Sequence, residues 1–398
     1  MRAIVTVATA AAAAAVIAGC GSATAGRPAT PDGRGSAIPL AAATSTGQGT
    51  WGILEMGGSA ASENNFWELF TRPPGSTQWS LVTPPGVADN GGMAMAPAGA
   101  QSLAVGFRPS QDPRFSPLAT TADSGKTWSS GVLDAALASV PDSLAVAPGS
   151  GREVALLSTG SIDQAAAGAT SWSTLASAGS VAASPAGKSC ALGSLDAVAV
   201  TPAGMPLVGG GCGHAGVAGI FRYSGGTWHA ASLVMPGGAA GDQVKVLRLT
   251  STAAGNTAVL LAGGSLFAAW TGDGGGHWTL SPPLPITGAS VASVAFGPAS
   301  STGAGGQGPG GAVGVLLSDG RASTNSGAGG AWQSQPATPP RIAVLAFPQA
   351  GPLEALAANG STLTVWQLAA TGKTAGGTAG KWATVQTIKV PIAYGSSG

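Results

Sequence analysis

The chain has little charge, few aromatic residues, few cysteines and no long apolar run. Only 8% of its 398 residues are charged, with 17 Lys and Arg against 16 Asp and Glu, and no basic run is present. This balance excludes the positively charged surface that a nucleic-acid-binding domain needs. Beyond the N-terminus, no stretch is apolar over a length that could cross a membrane as a helix.

Glycine and apolar residues make up much of the chain. The chain has 65 glycines and is 44% hydrophobic, which is enough to bury a core. So much glycine disfavours helices and suits many short strands joined by turns. The composition therefore predicts an all-β protein.

Tryptophan recurs at a nearly constant interval. Seven turns rich in Gly, Ser and Thr each precede a tryptophan, and the successive spacings are 49, 44, 56, 50, 54 and 50 residues. The seven residues are Trp79, Trp128, Trp172, Trp228, Trp278, Trp332 and Trp382. A period near fifty with four short strands per repeat is typical of a β-propeller blade. We therefore predict one seven-bladed β-propeller of four-stranded antiparallel blades over residues 49–392, with a frayed tail at 393–398.

Two of these turns share the pattern Thr-x-Asp-x-Gly-x-x-Trp. Its residues are Thr121, Asp123, Gly125 and Trp128 in one copy, and Thr271, Asp273, Gly275 and Trp278 in the other. Thr and Asp can accept hydrogen bonds from backbone N–H groups within a tight turn. The glycine can adopt a left-handed conformation, and the tryptophan can begin the next strand and bury its ring.

This pattern resembles the Asp-box, or BNR repeat, of sialidase-like β-propellers. The resemblance implies that each box is a folding element on the turn between the third and fourth strands of a blade, and not an active site. It also implies that the loops between the second and third strands lie on the opposite face. Only two of the seven turns keep the full box, so the resemblance is specific at those two.

The N-terminus resembles that of a bacterial lipoprotein. Met1-Arg2 precedes an apolar run from Ala3 to Val16, and Ile17-Ala18-Gly19-Cys20 matches the lipobox. We predict a signal peptide at residues 1–19, acylation of Cys20 and a flexible linker over 20–48, which would hold the protein on the extracytoplasmic face of the cell membrane. The alternative is an ordinary secretory signal with a chance cysteine. The first strand is expected near Ile38–Thr46.

Three connections between the second and third strands are long and polar. They are expected at 59–65, 108–114 and 209–214, whereas four others are short turns, including Asp319-Gly320 and Asn359-Gly360. Long loops on a rigid scaffold commonly carry binding residues. The predicted binding patch comprises Glu63, Asn64, Asn65, Arg108, Asp112, Arg114 and His214. The alternative is that these are solvated loop residues without a ligand. The Gly/Ser-rich segment Gly297–Gly311 is interpreted as a disordered insertion.

Two cysteines remain besides Cys20. In an exported protein, Cys190 and Cys212 predict one disulfide across the first two strands of the fourth blade. The alternative is a metal site that adds His214 to the two thiols, but it lacks a fourth ligand. We predict no metal and no cofactor.

A catalytic site is not expected. Sialidases with this repeat use a Tyr nucleophile paired with Glu, an acid Asp and three arginines. Tyr223 has no Glu nearby in sequence, Tyr394 lies in the tail, and Arg72-Pro73-Pro74 is a poor match to their Arg-Ile-Pro signature. The sequence favours a monomeric binding or scaffold module for a protein or glycan of the cell envelope. The alternative is a diverged sialidase-like glycoside hydrolase.

Overall fold

The computed structural model describes residues 41–46, 49–57, 65–84, 93–99, 101–107, 118–129, 141–167, 169, 171–299, 311–349, 351–374 and 377–391. Contacts divide the chain into the units Met1–Ala37 and Ile38–Gly398, and every described residue belongs to the second. Within this described part, no helix combines the length and the apolar character that a membrane span requires.

The first half of the described chain forms fifteen strands and two short helices. They are β1 (Ala42–Ser45), β2 (Thr50–Gly57), β3 (Asn65–Arg72), β4 (Ser80–Leu81), β5 (Met93–Pro97), β6 (Leu103–Phe107), β7 (Leu118–Thr121), β8 (Pro141–Val146), β9 (Glu153–Leu157), β10 (Ser161–Ala165), β11 (Ser173–Ser177), α1 (Ala178–Ala183), α2 (Pro185–Cys190), β12 (Ala197–Val200), β13 (Pro206–Gly211), β14 (Val217–Ser224) and β15 (Thr227–Ala230).

The second half continues the same strand-and-turn arrangement, with one short 3-10 helix at Gly237–Ala239. Its strands are β16 (Leu233–Val234), β17 (Val244–Thr252), β18 (Gly255–Ala262), β19 (Ser265–Thr271), β20 (Thr279–Leu280), β21 (Leu284–Pro285), β22 (Val291–Ala299), β23 (Gly311–Leu317), β24 (Ala322–Asn325), β25 (Gln333–Ser334), β26 (Ile342–Ala346), β27 (Glu354–Asn359), β28 (Thr362–Thr374) and β29 (Gly377–Lys389). The predicted all-β class is confirmed.

Consecutive strands pair antiparallel and form seven successive groups in the described residues. The groups are β1–β4, β5–β7, β8–β11, β12–β15, β17–β20, β22–β25 and β26–β29, and β16 and β21 add to the fourth and fifth. The first and sixth groups are joined into one eight-stranded sheet, because β1 pairs parallel with β22 from Ala42↔Val294 to Thr44↔Phe296. The described sheets therefore number six and not seven.

The strand β1 lies inside the segment that the sequence placed in a linker. It pairs with β2 as well as β22, so the folded head begins before residue 49. The separate expectation of a first strand near Ile38–Thr46 agrees with its position. The insertion was predicted at Gly297–Gly311. Strands occupy both of its ends, because β22 runs to Ala299 and β23 begins at Gly311. Residues 300–310 lie outside the described part.

The core consists of apolar layers between neighbouring groups. One layer lies between the fourth and fifth groups and includes Leu207, Ile220, Val246 and Leu260, all fully buried. Each such side chain contributes about 1.5–3 kcal/mol when it leaves water. The layers hold successive groups together without a single central core.

Three glycines that the sequence placed in a loop belong to β13. A Cβ on Gly209 would lie 2.6 Å from Cγ1 of Val246, and one on Gly210 would overlap the carbonyl oxygen of Ser194. Both positions need glycine because the backbone of β13 packs directly against neighbouring chain. The loop predicted at 209–214 is therefore wrong over Gly209–Gly211, and the connection to β14 begins at Cys212.

The helices α1 and α2 were not predicted. Ser177 caps α1 by accepting the N–H of Ser180 at 3.1 Å, and the hydroxyl of Ser180 accepts the N–H of Ser177 at 2.9 Å. Ser184 then accepts the N–H of Gly187 at 3.0 Å, and Pro185 starts α2. Each helix spans six residues, which is too short to show helical periodicity in sequence.

Three of the recurring tryptophans, Trp278, Trp332 and Trp382, donate a hydrogen bond to the group before their own. The indole N–H of Trp278 donates to the carbonyl of Ala231 at 2.8 Å, and that of Trp332 donates to the carbonyl of Pro282 at 3.0 Å. Ala231 follows β15 and Pro282 follows β20, the fourth strands of the preceding groups. Trp382 differs from the prediction, because it lies within the long strand β29 and not at its start.

Candidate functional site

The two ends of the strands carry different kinds of connection. Because strands within a group are antiparallel, the turns between second and third strands leave from the same end as the links between groups. We call this end the link face. The turns that follow the third strands, including Thr121–Trp128 after β7 and Thr271–Trp278 after β19, define the opposite box face.

Most of the predicted binding patch lies outside the described residues. Glu63, Asn64, Arg108, Asp112 and Arg114 fall there, as does the side chain of Asn65. His214 is described, and it is exposed on the connection between β13 and β14. The patch as a whole therefore stays a prediction.

Beside His214, a disulfide fastens α2 to the connection after β13. Cys190 and Cys212 are bonded, with their Cα atoms 5.2 Å apart, so the predicted disulfide is confirmed. The alternative metal site is wrong, because the two sulfurs are bonded to each other. The N–H of His214 donates to the carbonyl of Cys190 at 3.2 Å, and His214 Nδ1 lies 3.1 Å from the carbonyl oxygen of Ser189. This arrangement holds an exposed imidazole on a rigid platform.

A second feature of the link face is a groove of about 680 Å³, which we call the arginine groove. It lies between the β23–β24 turn and the link from β25 to β26. Its lining comprises Leu284, Ala292, Leu317, Ser318, Asp319, Gly320, Arg321, Ala322, Ser323, Ser334, Gln335, Pro336, Ala337, Thr338, Pro339, Pro340, Arg341 and Ile342. The sequence indicated a turn at Asp319-Gly320 but no site there.

Asp319 holds Arg321 at the edge of this groove. The backbone N–H of Arg321 donates to Oδ1 of Asp319 at 3.0 Å, and Nε donates to Oδ2 at 2.6 Å. These two bonds, the backbone bond first, lower the pKa of Asp319. Nη2 of Arg321 also donates to the carbonyl of Thr287 at 3.3 Å. The guanidinium is therefore fixed although half of its side chain is exposed.

The β23–β24 turn is bonded to the links on both of its sides. The N–H of Ser318 donates to the carbonyl of Ser290 at 2.8 Å, and the hydroxyl of Thr338 donates to the carbonyl of Gly320 at 2.6 Å. The groove is therefore built from three segments that hold one another in place.

Arg341 lies at the other end of the groove. Its backbone has φ 61°, a left-handed conformation that costs energy for a residue other than glycine. Its Nη1 donates to the side-chain oxygen of Asn359, in the turn between β27 and β28. In the same turn, the carbonyl of Gly360 accepts the N–H of Gly57 at 2.9 Å. Gly57 is the last residue of β2, so the end of β2 and the groove lie on one face.

The box face has internally satisfied turns. In the first box, the N–H and the hydroxyl of Thr127 donate to Asp123 at 2.9 and 2.6 Å, and the hydroxyl of Thr121 donates to it at 2.8 Å. These bonds, those of Thr127 first, lower the pKa of Asp123 to about 2. The carboxylate thus organises its own turn.

The second box is arranged in the same way. The hydroxyl of Thr271 donates to Asp273 at 2.6 Å, and the N–H groups of Gly276 and His277 donate to it at 2.8 and 3.0 Å. The pKa of Asp273 is well below its usual range, chiefly because of the Thr271 bond. His277 Nδ1 lies 2.6 Å from Oδ2 of Asp273.

The first strands of six groups surround a central cavity of about 130 Å³. The charged residues in its lining are Asp142 and Arg248. Tyr223 is in β14 and not in this lining, and its ring packs on Trp228 with centroids 5.0 Å apart. The tyrosine considered as a nucleophile is therefore part of the packing between β14 and β15.

Comparisons with known proteins identify the fold. No protein-family model and no curated protein matches the chain. The β-propeller domain of Cps50 (Swd1) from Myceliophteria thermophila is similar, with 11% identity and a TM-score of 0.52, over 83% of this chain and 98% of that one. A protein from Lactobacillus plantarum is similar over 86% of this chain and 97% of its own, with 11% identity and a TM-score of 0.50. The chain folds as a β-propeller, and the number of its blades stays a prediction.

Proposed function

We propose that the chain is a lipid-anchored, extracytoplasmic β-propeller of the Asp-box type that serves as a binding or scaffold module for a partner in the cell envelope. The observation that carries this proposal is the construction of the link face. Two sets of exposed polar side chains lie there on segments held by a disulfide or by hydrogen bonds. They are His214 beside the disulfide and the two arginines of the groove. Ordered polar groups on an inflexible surface lose little entropy on binding a partner.

The bonding of the Asp-box carboxylates supports the same assignment of faces. Each of these carboxylates is occupied by hydrogen bonds from its own turn. A group whose bonds are satisfied internally has little left to offer a ligand. We therefore place the binding surface on the link face.

Anchoring is proposed from the residues Ile17-Ala18-Gly19-Cys20. Acyl chains on Cys20 would hold the protein at a membrane, since two chains together bind a bilayer firmly. The confirmed disulfide is in keeping with an exported protein, because such bonds persist in oxidising compartments.

Photo-crosslinking tests the binding surface. A photoreactive amino acid replaces His214 on the link face, or the exposed Lys126 in the first box as the matched control. In cells that express the full chain, we expect position 214 to capture a distinct envelope partner and position 126 not to capture it. Equal capture at both positions, or capture at 126 alone, contradicts the proposal.

Acylation is tested with a fatty-acid analogue. We expect the analogue to label the full chain and the Cys20→Ser variant to lose both the label and the membrane fraction. An unlabelled chain rules out the anchor.

Turnover of a sialoside tests the competing function. If the chain hydrolyses the sialoside and the Tyr223→Phe variant does not, the protein is an enzyme and the proposed binding function is contradicted.

A further inference from the structure

We propose that the arginine groove binds an acidic peptide segment of the partner, with the carboxylates of that segment held by Arg321 and Arg341. This inference names the chemistry of the partner and rests on the proposed binding function. The groove combines a net positive charge, unused N–H donors on its arginines and apolar side chains in its lining.

The groove carries a net positive charge. Asp319 is the acidic residue in its lining, against Arg321 and Arg341. The carboxylate of Asp319 is already bonded to the N–H and Nε of Arg321, so it offsets the charge of Arg321 and leaves that of Arg341 as the surplus in the lining. The field in the groove therefore favours a negatively charged ligand.

Both guanidinium groups retain hydrogen-bond donors. A guanidinium has five N–H donors. Contacts within the described residues use Nε and one Nη2 donor of Arg321, and one Nη1 donor of Arg341. The remaining N–H donors of each planar guanidinium can form two parallel bonds to one carboxylate. Each arginine is already oriented by its internal bond, so it loses less freedom on binding.

Apolar residues form part of the groove lining. Leu284, Ala292 and Ile342 contribute partly buried side chains, and Pro336, Pro339 and Pro340 contribute rings whose backbone angles are fixed. Such a surface suits apolar side chains that alternate with charged ones. A segment that combines acidic and aliphatic residues therefore fits better than a free inorganic anion. A volume of about 680 Å³ is within the range of ligand-binding clefts.

A defined peptide tests the inference on the full purified chain. The probe is a fluorescein-labelled octapeptide of alternating glutamate and leucine, and its binding is followed by fluorescence anisotropy. The two comparison peptides alternate glutamine with leucine and lysine with leucine. We expect the glutamate peptide to bind and its affinity to fall at least fivefold between 50 and 500 mM salt, on the order expected for screened contacts at exposed arginines. We expect no saturable binding of the lysine peptide.

Variants locate the binding. We expect the Arg321→Gln, Arg341→Gln double variant to lose at least about tenfold in affinity for the glutamate peptide. The matched control is Arg222→Gln in β14, outside the groove lining, and its affinity should equal that of the wild type. Arg341→Lys keeps the charge but removes the fork, and should weaken binding by an intermediate factor. A thermal unfolding curve for each variant verifies that it is folded. Arg341→Gln alone serves if Arg321→Gln loosens the turn.

Three results would overturn the inference: no binding of the glutamate peptide, equal binding of the glutamine peptide, or unchanged affinity in a folded groove variant. The crosslinking experiment distinguishes a failure of the peptide-binding inference from a failure of the proposed binding function. A partner captured at position 214 by the double variant as well as by the wild type leaves the binding function standing and removes the groove as its site.

Discussion

Arg72 and Glu354 form a buried ion pair that joins the first group of strands to the last. Nη1 of Arg72 lies 2.7 Å from Oε1 of Glu354, and their side chains are 7% and 1% exposed. Oε2 of Glu354 accepts the indole N–H of Trp79 at 2.8 Å, and Nε of Arg72 donates to the carbonyl of Ser76 at 2.8 Å. Burial raises the pKa of Glu354, while its bonds to Trp79 and Arg72 oppose that rise.

The same junction has a second polar contact. Oε1 of Gln386, in β29, accepts the backbone N–H of Trp79 at 2.8 Å, and Nε2 of Gln386 donates to the carbonyl of Trp79 at 2.8 Å. The last group is thus bonded to the first through these side chains and through the backbone bond from Gly57 to Gly360. The first and sixth groups are joined by the pairing of β1 with β22.

Removal of one partner of the buried pair should be strongly destabilising. We expect Glu354→Ala to lower the free energy of unfolding by about 3–5 kcal/mol, because Arg72 would be left charged and buried. The measurement is urea unfolding followed by tryptophan fluorescence. The double variant Arg72→Met, Glu354→Leu should be more stable than Glu354→Ala, because it leaves no unpaired charge. Equal losses in the two variants would show that the charge pair is not the source of the effect.

Glu153 should make stability depend on pH near neutrality. Burial raises the pKa of this carboxyl, the first residue of β9, from 4.5 to about 7. Between these two pH values the folded protein holds a proton that the unfolded chain has lost, so stability falls as pH rises. We expect Glu153→Gln to be more stable than the wild type by about 1–2 kcal/mol at pH 8, after allowance for partial exposure. The two proteins should be alike at pH 4, and a constant difference across the range would contradict the assignment.

Asp123 should stabilise its turn only while it is charged. Its pKa of about 2 lies below the ordinary value of 3.8 because Thr127 and Thr121 donate to the carboxylate. This contribution is present above pH 4 and is lost as pH falls through the pKa of the folded state. We expect Asp123→Ala to lower the thermal midpoint at pH 7 and the difference from wild type to shrink at pH 2. Lys126→Ala, in the same turn, is the control and should leave the midpoint unchanged.

The disulfide should stabilise the platform beside His214. The two cysteines are 22 residues apart, and closure of a loop of this size contributes about 3 kcal/mol. We expect Cys190→Ser, Cys212→Ser to lose about that amount and to exchange amide hydrogens faster in α1 and α2. A reductant should reproduce the loss in the wild type and have no effect on the double variant. Unchanged exchange in both helices would show that they are held by packing alone.

Much of the fold could be predicted because each repeat has recognisable features within a short stretch of sequence. A tryptophan after each glycine-rich turn recurs near every fiftieth residue, and the short apolar runs between them became strands. The helices α1 and α2 escaped prediction because each has six residues. The glycines of β13 were placed in a loop because the residues that require glycine there are not adjacent in sequence: Ser194 lies before β12, and Val246 lies in β17.

The candidate site was harder to predict than the fold. Loop length drew attention to the segments around Glu63, Arg108 and His214, and of these three residues His214 is described in the structure. The arginine groove was missed because neither of its arginines lies in a long loop. Arg321 follows a tight turn and Arg341 ends a link, and the folding of that link back along the turn brings both to one cavity.

What the sequence determined by itself was local: the turn chemistry of Asp123 and Asp273, the spacing of the tryptophans and the strands between them, since each depends on residues close together in the chain. Only the tertiary structure decided which distant residues meet. The pairing of β1 with β22, the burial of Arg72 against Glu354 and the joint lining of the groove by Arg321 and Arg341 all arise from packing between groups. Such contacts depend on the relative position of whole sheets, which no short stretch of residues encodes.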